Sequence, residues 1–404
     1  QKTAHVTVAA GAFDRRETVV SFALPASLKG KSYGLRDESG RVTDLQIDDR
    51  RQATFVLPEL KAGATKRYLL EALKLAGVPD KIQVLREGNR LKVNVAGRQV
   101  IGYQAQGDLP RADIKPIFRR GGYIYPVYTP SGRPVTDHYH PRHLHQQSIW
   151  FSWTRTEFEG RKPDFWNLGD GTGTVEFVAL GDVWGGPVHG GFRSRHRFVD
   201  LSAPAPKTVL NEVWEVKVFG GGRGAKPYTM FDLVSTQEAA TPRPLVLPEY
   251  HYGGMGVRGH AQWDGKENAF FLTSEGKDRA NGHATRARWC HMGGMVDGQL
   301  AGIGILGHPG NFRAPQPVRI HPTEPFFNFA PSQMGRREIA PGRPYVSRYR
   351  YVVYDGSPDA AELERLWNDY ADPPQVTLMF KLIRVAGARQ FTPTTAPTRF
   401  RRRR

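Results

Sequence analysis

The first 75 residues alternate apolar and polar positions in short stretches that turn-forming residues separate. The stretches cover residues 5–10, 18–24, 54–57 and 67–70. A period of two sends successive side chains to opposite faces of a strand, so each stretch predicts a strand that is buried on one side. We therefore expect a small N-terminal β-sandwich over residues 1–75.

Strand signals continue from residue 81 onward. Residues 82–85 and 91–95 predict a hairpin, and residues 214–218 and 348–353 alternate strictly. Many short strands joined by turns are typical of antiparallel sandwiches. We expect a large one over residues 81–372, with the domain boundary just before it.

One helix is predicted, over residues 358–371. Ser357 can cap it, Pro358 suits the first helical position, and Asp359 favours the helix dipole there. Leu363 and Leu366 begin an apolar series at helical spacing. Because no other segment shows such a pattern, the expected fold class is all-β: a large antiparallel β-supersandwich, the small N-terminal sandwich and one C-terminal helix.

Charge adds a feature at the C-terminus. The formal net charge is +18, and residues 373–404 hold eight basic residues and no acidic one, which leaves +10 for the rest. This basic tail predicts a flexible arm or a packing element for a neighbouring subunit, and hence a homo-oligomer. If residues 376–385 form a strand instead, the expected host is a sheet edge of the same or a neighbouring subunit. The net charge suggests an acidic partner, but a nucleic-acid role is not expected, because phosphate binding also needs a folded basic surface.

Several classes of protein are excluded by what the sequence lacks. No run of 18 or more apolar residues occurs, so no membrane span is expected. The single cysteine, Cys290, excludes an intramolecular disulfide and a cysteine-based metal cluster. A Walker A loop and a Gly-x-Ser-x-Gly elbow are both missing, which argues against those nucleotide enzymes and serine hydrolases. Gln1 is compatible with an end left by signal cleavage.

Histidines are concentrated in residues 136–151, where four of the thirteen lie between positions 138 and 145. In extended chain, His143 and His145 point to the same face, where they can bind a metal, or transfer a proton and hold an anionic oxygen. The alternative is that backbone groups satisfy them beside Trp150. The density of the cluster favours function.

No metal and no other cofactor is predicted. Asp137, His138 and His140 precede the turn at Pro141 and need not face His143 and His145. Elemental analysis of the purified protein tests this prediction.

Three further segments carry polar or charged side chains beside glycine, proline or an apolar strand. Glycines let a backbone approach a ligand closely, and prolines make a loop rigid enough to display binding groups. Each segment also has an alternative without a binding role. The first can be a tight turn with an aromatic edge, the second a solvent-exposed rim, and the third a loop that is buried in the interior. The candidates are Glu249 and His251 in residues 248–259, Glu275, Lys277, Asp278, Arg279, His283 and Arg286 in residues 273–291, and His308, Asn311, Arg313, Arg319 and His321 in residues 308–327.

Taken together, these motifs resemble the PmoA-like family of unknown function (DUF6807) over about residues 91–372. The resemblance rests on His-Leu-His at 143–145 leading to Ser-Ile-Trp-Phe at 148–151, on residues 274–279 and 283–289, and on His-Pro at 308 and at 321. It implies a bacterial periplasmic or secreted protein with a fold related to galactose mutarotase, often encoded among sugar-degradation enzymes. Gln146 stands where relatives are expected to have a further histidine, which weakens a three-histidine metal site. An oxygenase is rejected, because the methane monooxygenase subunit behind the family name would need membrane spans.

By analogy with mutarotases, the resemblance implies acid–base chemistry on a sugar or oligosaccharide, as epimerase, hydrolase or lyase. A non-catalytic carbohydrate-binding or assembly protein and a histidine-metal enzyme remain as alternatives. We expect His143, His145, Glu249, Glu275, His283 and His308 around one concave site. The acid is His145 or His143, the base Glu249 or Glu275, and the clamps for hydroxyl or carboxylate groups are Arg279, Arg286, Arg313 and Arg319.

Overall fold

The computed structural model describes residues 2–28, 33–72, 81–222, 224 and 226–382. In this part of the chain, 28 strands and one α-helix are present, which confirms the all-β fold. None of the helices in these residues has the length and apolar character that crossing a bilayer requires.

Seven strands precede residue 73. They form two sheets that face each other across a core of their own, which includes Val6, Val8, Phe55 and Leu57. The strands are β1 (Lys2–Ala9), β2 (Arg15–Ala23), β3 (Tyr33–Arg36), β4 (Val42–Asp44), β5 (Gln46–Ile47), β6 (Gln52–Leu60) and β7 (Thr65–Ala72).

The main sandwich follows from residue 82. Its strands are β8 (Ile82–Glu87), β9 (Arg90–Val95), β10 (Arg98–Gln104), β11 (Tyr123–Val127), β12 (His138–His140), β13 (His143–Gln147), β14 (Ile149–Ser152), β15 (Gly173–Trp184), β16 (His189–Asp200), β17 (Lys207–Gly222), β18 (Tyr228–Ala239), β19 (Leu245–Leu247), β20 (Gly254–Arg258), β21 (Ala269–Thr273), β22 (Trp289–Val296), β23 (Gln299–Gly307), β24 (Val318–Ile320), β25 (Phe326–Phe329), β26 (Arg337–Ile339) and β27 (Tyr345–Asp355). The chain continues into α1 (Ala360–Ala371) and β28 (Gln375–Leu382).

Two eight-stranded antiparallel sheets build the main sandwich. Sheet I has the order β15-β16-β17-β18-β27-β23-β22-β21, and sheet II the order β24-β25-β20-β14-β11-β10-β9-β8. One continuous apolar core contains residues of both sheets, so each sheet buries one face against the other.

The register of sheet II separates its two faces. Ile320, Phe327, Val257 and Ile149 form a row across β24, β25, β20 and β14, and all four belong to the core. The neighbouring row points away from sheet I, because successive side chains of a strand alternate between faces. This outer row consists of Arg319, Asn328, Gly256 and Trp150.

Helix α1 begins two residues later than predicted. Asp359 is its N-cap, and the Asp359 carboxylate accepts a hydrogen bond from the backbone N–H of Glu362. The cap therefore lies at the residue expected inside the first turn, because a carboxylate can both receive the free N–H groups and favour the positive end of the helix dipole.

Strand β28 pairs antiparallel with β1 and becomes an edge of the N-terminal five-stranded sheet, in the order β28-β1-β7-β3-β4. Residues 375–382 of the basic tail are thus an ordered strand on a sheet edge of the same chain, as the conditional alternative for this segment proposed. Val376 and Leu378 of β28 pack against the N-terminal core. Residues 383–404, with all of the tail's arginines, lie outside the described residues.

Candidate functional site

The β12–β13 hairpin places histidines above the outer face of sheet II. His140 lies opposite His143 in the hairpin register. Tyr139 and Leu144 pack with Trp150 in an aromatic cluster on that face. This packing fixes the hairpin against sheet II. The histidine side chains that alternate with these two residues stay half-buried at the surface.

A histidine from a second segment completes the group. The ring centroids of His143 and His145 are 5.8 Å apart, and those of His143 and His321 are 5.9 Å apart. His321 directly follows β24, so sheet II positions it. We call the following residues the histidine site: His140, His143, His145, His321, Glu324 and Asp264.

Arginines pair with both carboxylates of the histidine site. Arg258 has a fully buried side chain and donates to Glu324 at 3.0 Å, to Asp264 and to Gln146 at 3.2 Å. Arg142 reaches the same two carboxylates from the surface, at 3.1 Å from Glu324 and 3.3 Å from Asp264. Burial alone would raise the pKa of Glu324, but the hydrogen bond from Arg258 lowers it below its usual value.

His140 is held in one tautomer. Its Nε2 lies 2.5 Å from Asp264 Oδ2, and its Nδ1 accepts from the backbone N–H of Arg142 at 3.3 Å. The hydrogen therefore resides on Nε2 and is donated to Asp264. The Asp264 carboxylate and the Arg142 backbone together fix the orientation of the ring.

The other histidines are neutral at neutral pH. Burial, together with the nearby His143, lowers the pKa of His145 to about 4. Burial and the positive charge of Arg319 lower the pKa of His321 to about 4, and burial also lowers the pKa of His143. The His321 Nδ1 accepts from the backbone of Glu324 at 2.9 Å, so its Nε2 carries the hydrogen. His143 Nδ1 is buried and has no hydrogen-bond partner among the described residues.

The nitrogen and oxygen atoms of His140, His143 and Glu324 lie within 4.8 Å of one another, as metal ligands would. The hairpin thus brings His140 against His143, although it precedes Pro141. However, both nitrogens of His140 already have partners, and both Glu324 oxygens receive hydrogen bonds from arginines. A metal ion at this position would have to displace these partners.

Aromatic rings line one side of the histidine site. Trp166 packs on Trp150 with 4.9 Å between centroids, and Tyr252 packs on Trp166 at 5.3 Å. A Cβ at position 256 would approach both indoles at 3.0–3.1 Å, so Gly256 allows this close packing. Trp150 is fully buried and forms the floor, whereas Tyr252 is partly exposed and its hydroxyl accepts from Asn167 at 3.0 Å.

Arg319 lies beside this aromatic side. Its charge lowers the pKa values of His251, His283 and His321, although burial is the larger cause in each case. Tyr250 and Tyr252 are also close enough to affect its own pKa, which burial lowers. The charge of Arg319 therefore acts on His251, His283 and His321, and the ring centroid of His321 lies 5.9 Å from that of His143.

Four of the predicted binding residues instead hold loops in place. Each donates to backbone carbonyls, a role that fixes the loops on which the site depends. The contacts are Arg279 to His321 O at 2.7 Å, Arg286 to Pro315 O at 2.7 Å, Arg313 to Pro331 O at 2.8 Å, and Asn311 to Arg348 O at 2.8 Å.

Lys277 and Asp278 belong to the turn after β21. The backbone of Lys277 pairs with Thr273, and the Asp278 carboxylate accepts from the N–H of Ala280 at 2.8 Å. These contacts are local, and they give the turn its shape.

Both predicted bases and His308 lie outside the histidine site. Glu275 is exposed and pairs with Arg288 at 3.0 Å, and Glu249 is exposed near Arg313. His308 packs on Tyr370 of α1 with 5.0 Å between ring centroids. A single site around all six residues therefore does not form, because Glu275 pairs with Arg288, His308 packs on α1 and Glu249 lies near Arg313.

A separate cavity of about 180 Å³ occurs on that side of the protein. Arg288, His308, Phe329 and Trp367 are among its lining residues, and it shares none with the histidine site. Its lining is mostly apolar, whereas the histidine site contains paired charges and neutral imidazoles.

One serine–histidine–glutamate group also occurs, between the sheets. His196 Nδ1 lies 3.0 Å from Glu212, and its Nε2 lies 3.2 Å from Ser194 Oγ and 2.7 Å from the Tyr103 hydroxyl. All four residues are fully buried. Because no substrate can reach it, this network satisfies buried polar groups and is not a hydrolase triad.

Sequence reasoning missed Asp264 and Glu324 as members of the histidine site, and Arg258 as the partner of both. Glu324 had one signal, since it lies three residues after His321 in the proline-rich segment. Asp264 follows the 3-10 helix Ala261–Trp263, and no motif marks it.

A model of a family described as "Family of unknown function (DUF6807)" matches residues 90–368, more than half of the chain. The match begins with β9 and ends inside α1, so it covers most of the main sandwich and not the N-terminal sandwich. No curated protein matches the chain.

Proposed function

We propose that this chain, which belongs to the DUF6807 family, binds a carbohydrate at the histidine site and acts on it by histidine acid–base chemistry. The observation that carries the proposal is the group of neutral histidines beside an arginine-paired carboxylate and a row of aromatic rings. The PmoA-like resemblance supports the proposal, because it implies a fold related to galactose mutarotase and a gene among those of sugar-degradation enzymes.

Recognition of a sugar requires flat apolar surfaces and polar groups around them. Pyranose C–H faces stack on aromatic rings, while hydroxyls bind planar polar groups. Tyr250 and Tyr252 are both partly exposed, with ring centroids 4.9 Å apart. Beside them, the Nε2 hydrogen of His321 is available as a donor, because Nδ1 of this ring is the acceptor.

For the chemical step, His143 is the proposed base. Its ring is half-buried and forms no hydrogen bond with any described residue, and the charge of Glu324 raises its pKa against the larger effect of burial. Taking up a proton makes His143 cationic, and the negative charge of Glu324 then stabilises the imidazolium. His321, whose neutral ring carries its hydrogen on Nε2, is proposed to donate a hydrogen bond to the sugar oxygen that gains negative charge, and the proton that His143 takes up then returns to the sugar or goes to the leaving oxygen.

The charges favour proton abstraction over carboxylate-assisted hydrolysis. Glycosidases need one carboxylic acid that keeps its proton at neutral pH. Here Glu324 and Asp264 both form ion pairs with Arg258 and Arg142. Among epimerase, hydrolase and lyase, we therefore propose an epimerase or lyase.

Calorimetric titration with a panel of neutral and acidic mono- and oligosaccharides tests binding, and NMR in deuterated water tests proton exchange at sugar carbons. We expect one class of sugar to bind and to exchange a carbon-bound proton with the solvent. His143→Gln should slow this exchange by at least about a hundredfold. His308→Gln is the control, since His308 lines the separate cavity.

Two results would contradict this function. If no sugar binds, the carbohydrate proposal fails. If a sugar binds but neither exchanges nor turns over, the chain is a carbohydrate-binding protein without catalysis.

The family resemblance also leads us to propose a periplasmic or secreted location. Fractionation of cells that express the complete natural protein tests this. Recovery in the cytoplasmic fraction alone would contradict it.

A further inference from the structure

Arg319 differs from the other three arginines that the sequence singled out. Arg279, Arg286 and Arg313 each donate to at least two backbone carbonyls. The Arg319 side chain makes no hydrogen bond or ion pair with any described residue, and its Nε is buried without a partner. Its guanidinium is therefore free to bind something outside the fold.

The direction of Arg319 follows from its strand. Val318 and Ile320, its neighbours in β24, both belong to the core between the sheets. Arg319 therefore lies on the outer face. Its register partner there is Asn328, whose Nδ2 donates to Gly253 O at 3.1 Å and whose buried Oδ1 has no partner in the described chain.

Within the described part of the chain, no carboxylate forms an ion pair with Arg319. The titratable groups that interact electrostatically with Arg319 are the phenols of Tyr250 and Tyr252 and the imidazoles of His251, His283 and His321. Glu324, the acidic residue next to His321, is already paired with Arg258 and Arg142. A half-buried cation without a counter-ion is costly, and an anionic ligand removes that cost.

We propose that the carbohydrate of the histidine site carries a carboxylate, as uronic acids do, and that Arg319 binds this group. The planar fork of the guanidinium matches a carboxylate with two parallel hydrogen bonds. His251 and His283 are exposed at the edge of the same region and supply further hydrogen-bond donors or acceptors. The inference rests on the proposed carbohydrate function and names the class of sugar.

The test compares sugars that differ only at one carbon: galacturonate with galactose, and glucuronate with glucose, each also as a short oligosaccharide. We expect the wild-type chain to prefer each acid by about tenfold or more, the ratio that a charged hydrogen-bond pair provides. Arg319→Gln removes this preference and leaves the affinity for the neutral sugar within about twofold. Arg319→Lys, which keeps the charge but not the fork, retains part of it.

Arg286→Gln is the matched control, because Arg286 is an exposed arginine nearby that binds only backbone carbonyls. It should keep the full preference for the acid. Equal binding of acid and neutral sugar by the wild type overturns the inference while the carbohydrate function stands. A preference for sulfated sugars over both would also overturn it, and binding of no sugar at all removes the proposed function as well. The wild-type comparison decides the matter even if Arg319→Gln does not fold.

Discussion

Arg258 is the residue on which the charges of the histidine site depend. Its guanidinium is fully buried and holds Glu324, Asp264 and Gln146 in one network. The network keeps a negative charge next to His143, where the proposed chemistry requires it. Its loss would leave two acidic groups partly buried without their main partner.

Replacing Arg258 with Gln should therefore lower the free energy of unfolding by about 3–5 kcal/mol, the usual cost of breaking a buried ion pair from one side. Urea denaturation measures this. Arg142→Gln is the control, because the Arg142 side chain is 56% exposed, and it should cost less than about 1 kcal/mol. Equal losses for the two variants would contradict the central role of Arg258.

The neutral histidines predict how stability depends on pH. His145 and His321 have pKa values of about 4 in the folded chain, below the ordinary histidine value of 6.5, mainly because of burial. Below pH 6.5 the unfolded chain binds these protons and the folded chain does not, so stability falls as the pH drops from about 6.5 to about 4. His321→Gln should flatten this fall, as measured by denaturation at a series of pH values. An unchanged pH dependence in this variant would show that His321 titrates normally.

At the scale of the residue, the concentration of polar residues in short segments was enough to find His143, His145 and His321. It was not enough to find the carboxylate beside them. Glu275 and Glu249 looked equivalent to Glu324 in the sequence, since each lies in a polar segment near a glycine, a proline or an aromatic residue. Only the fold separates them, because it directs Glu275 to Arg288 and Glu324 to Arg258. Long-range pairing of this kind leaves no local pattern.

At the scale of the element, α1 connects the two sandwiches. The Asp369 carboxylate accepts from Arg15 at 3.0 Å and from Thr18 at 2.9 Å, and both of these residues belong to β2. On its other side, Leu363 and Leu366 pack with residues of sheet I. The single helix therefore buries polar contacts with one sandwich and apolar contacts with the other.

Asp369→Ala should lower the free energy of unfolding by about 3–5 kcal/mol, because it removes the buried carboxylate that pairs with the buried guanidinium of Arg15. Thermal and urea denaturation measure the loss. Asp372→Ala is the control, since the Asp372 side chain is 58% exposed and its carboxylate lies 4.0 Å from Arg15. A loss below about 1 kcal/mol for Asp369→Ala would show that α1 docks by its apolar face alone.

Strand β28 gives the second prediction at this scale. A chain that ends before residue 375 exposes the backbone edge of β1, so it should aggregate or dimerise, because unpaired edges recruit other strands. A chain that ends at residue 382 keeps β28 and should behave as the full chain does. Light scattering after size-exclusion chromatography distinguishes the two. Identical behaviour of both truncations would contradict a structural role for β28.

The sequence predicted α1 and eight strands of this fold, among them β1 and β17, because the periodicity of their apolar residues is local. It did not predict that β28 joins the N-terminal sheet, since that pairing joins residues more than 360 positions apart. The cap of α1 was misplaced for a different reason: Ser357 and Asp359 are both good caps, and the backbone decides between them.

At the scale of the whole molecule, the two faces of sheet II have different tasks. One face packs on sheet I, and the outer face holds the aromatic cluster, Arg319 and the histidine hairpin. The residues that hold the surrounding loops, such as Arg279 and Arg313, bind backbone carbonyls. A rigid sandwich that displays polar groups on irregular connections is the usual way in which binding sites are built.

The measurement that tests the central claim most directly is a crystal structure of the chain with the sugar that binds most tightly in the calorimetric panel. The account predicts that the sugar lies within hydrogen-bond distance of His143 or His321, with a ring face against Tyr252. A sugar bound instead in the cavity lined by His308 and Trp367, with no contact to the histidine site, would contradict it.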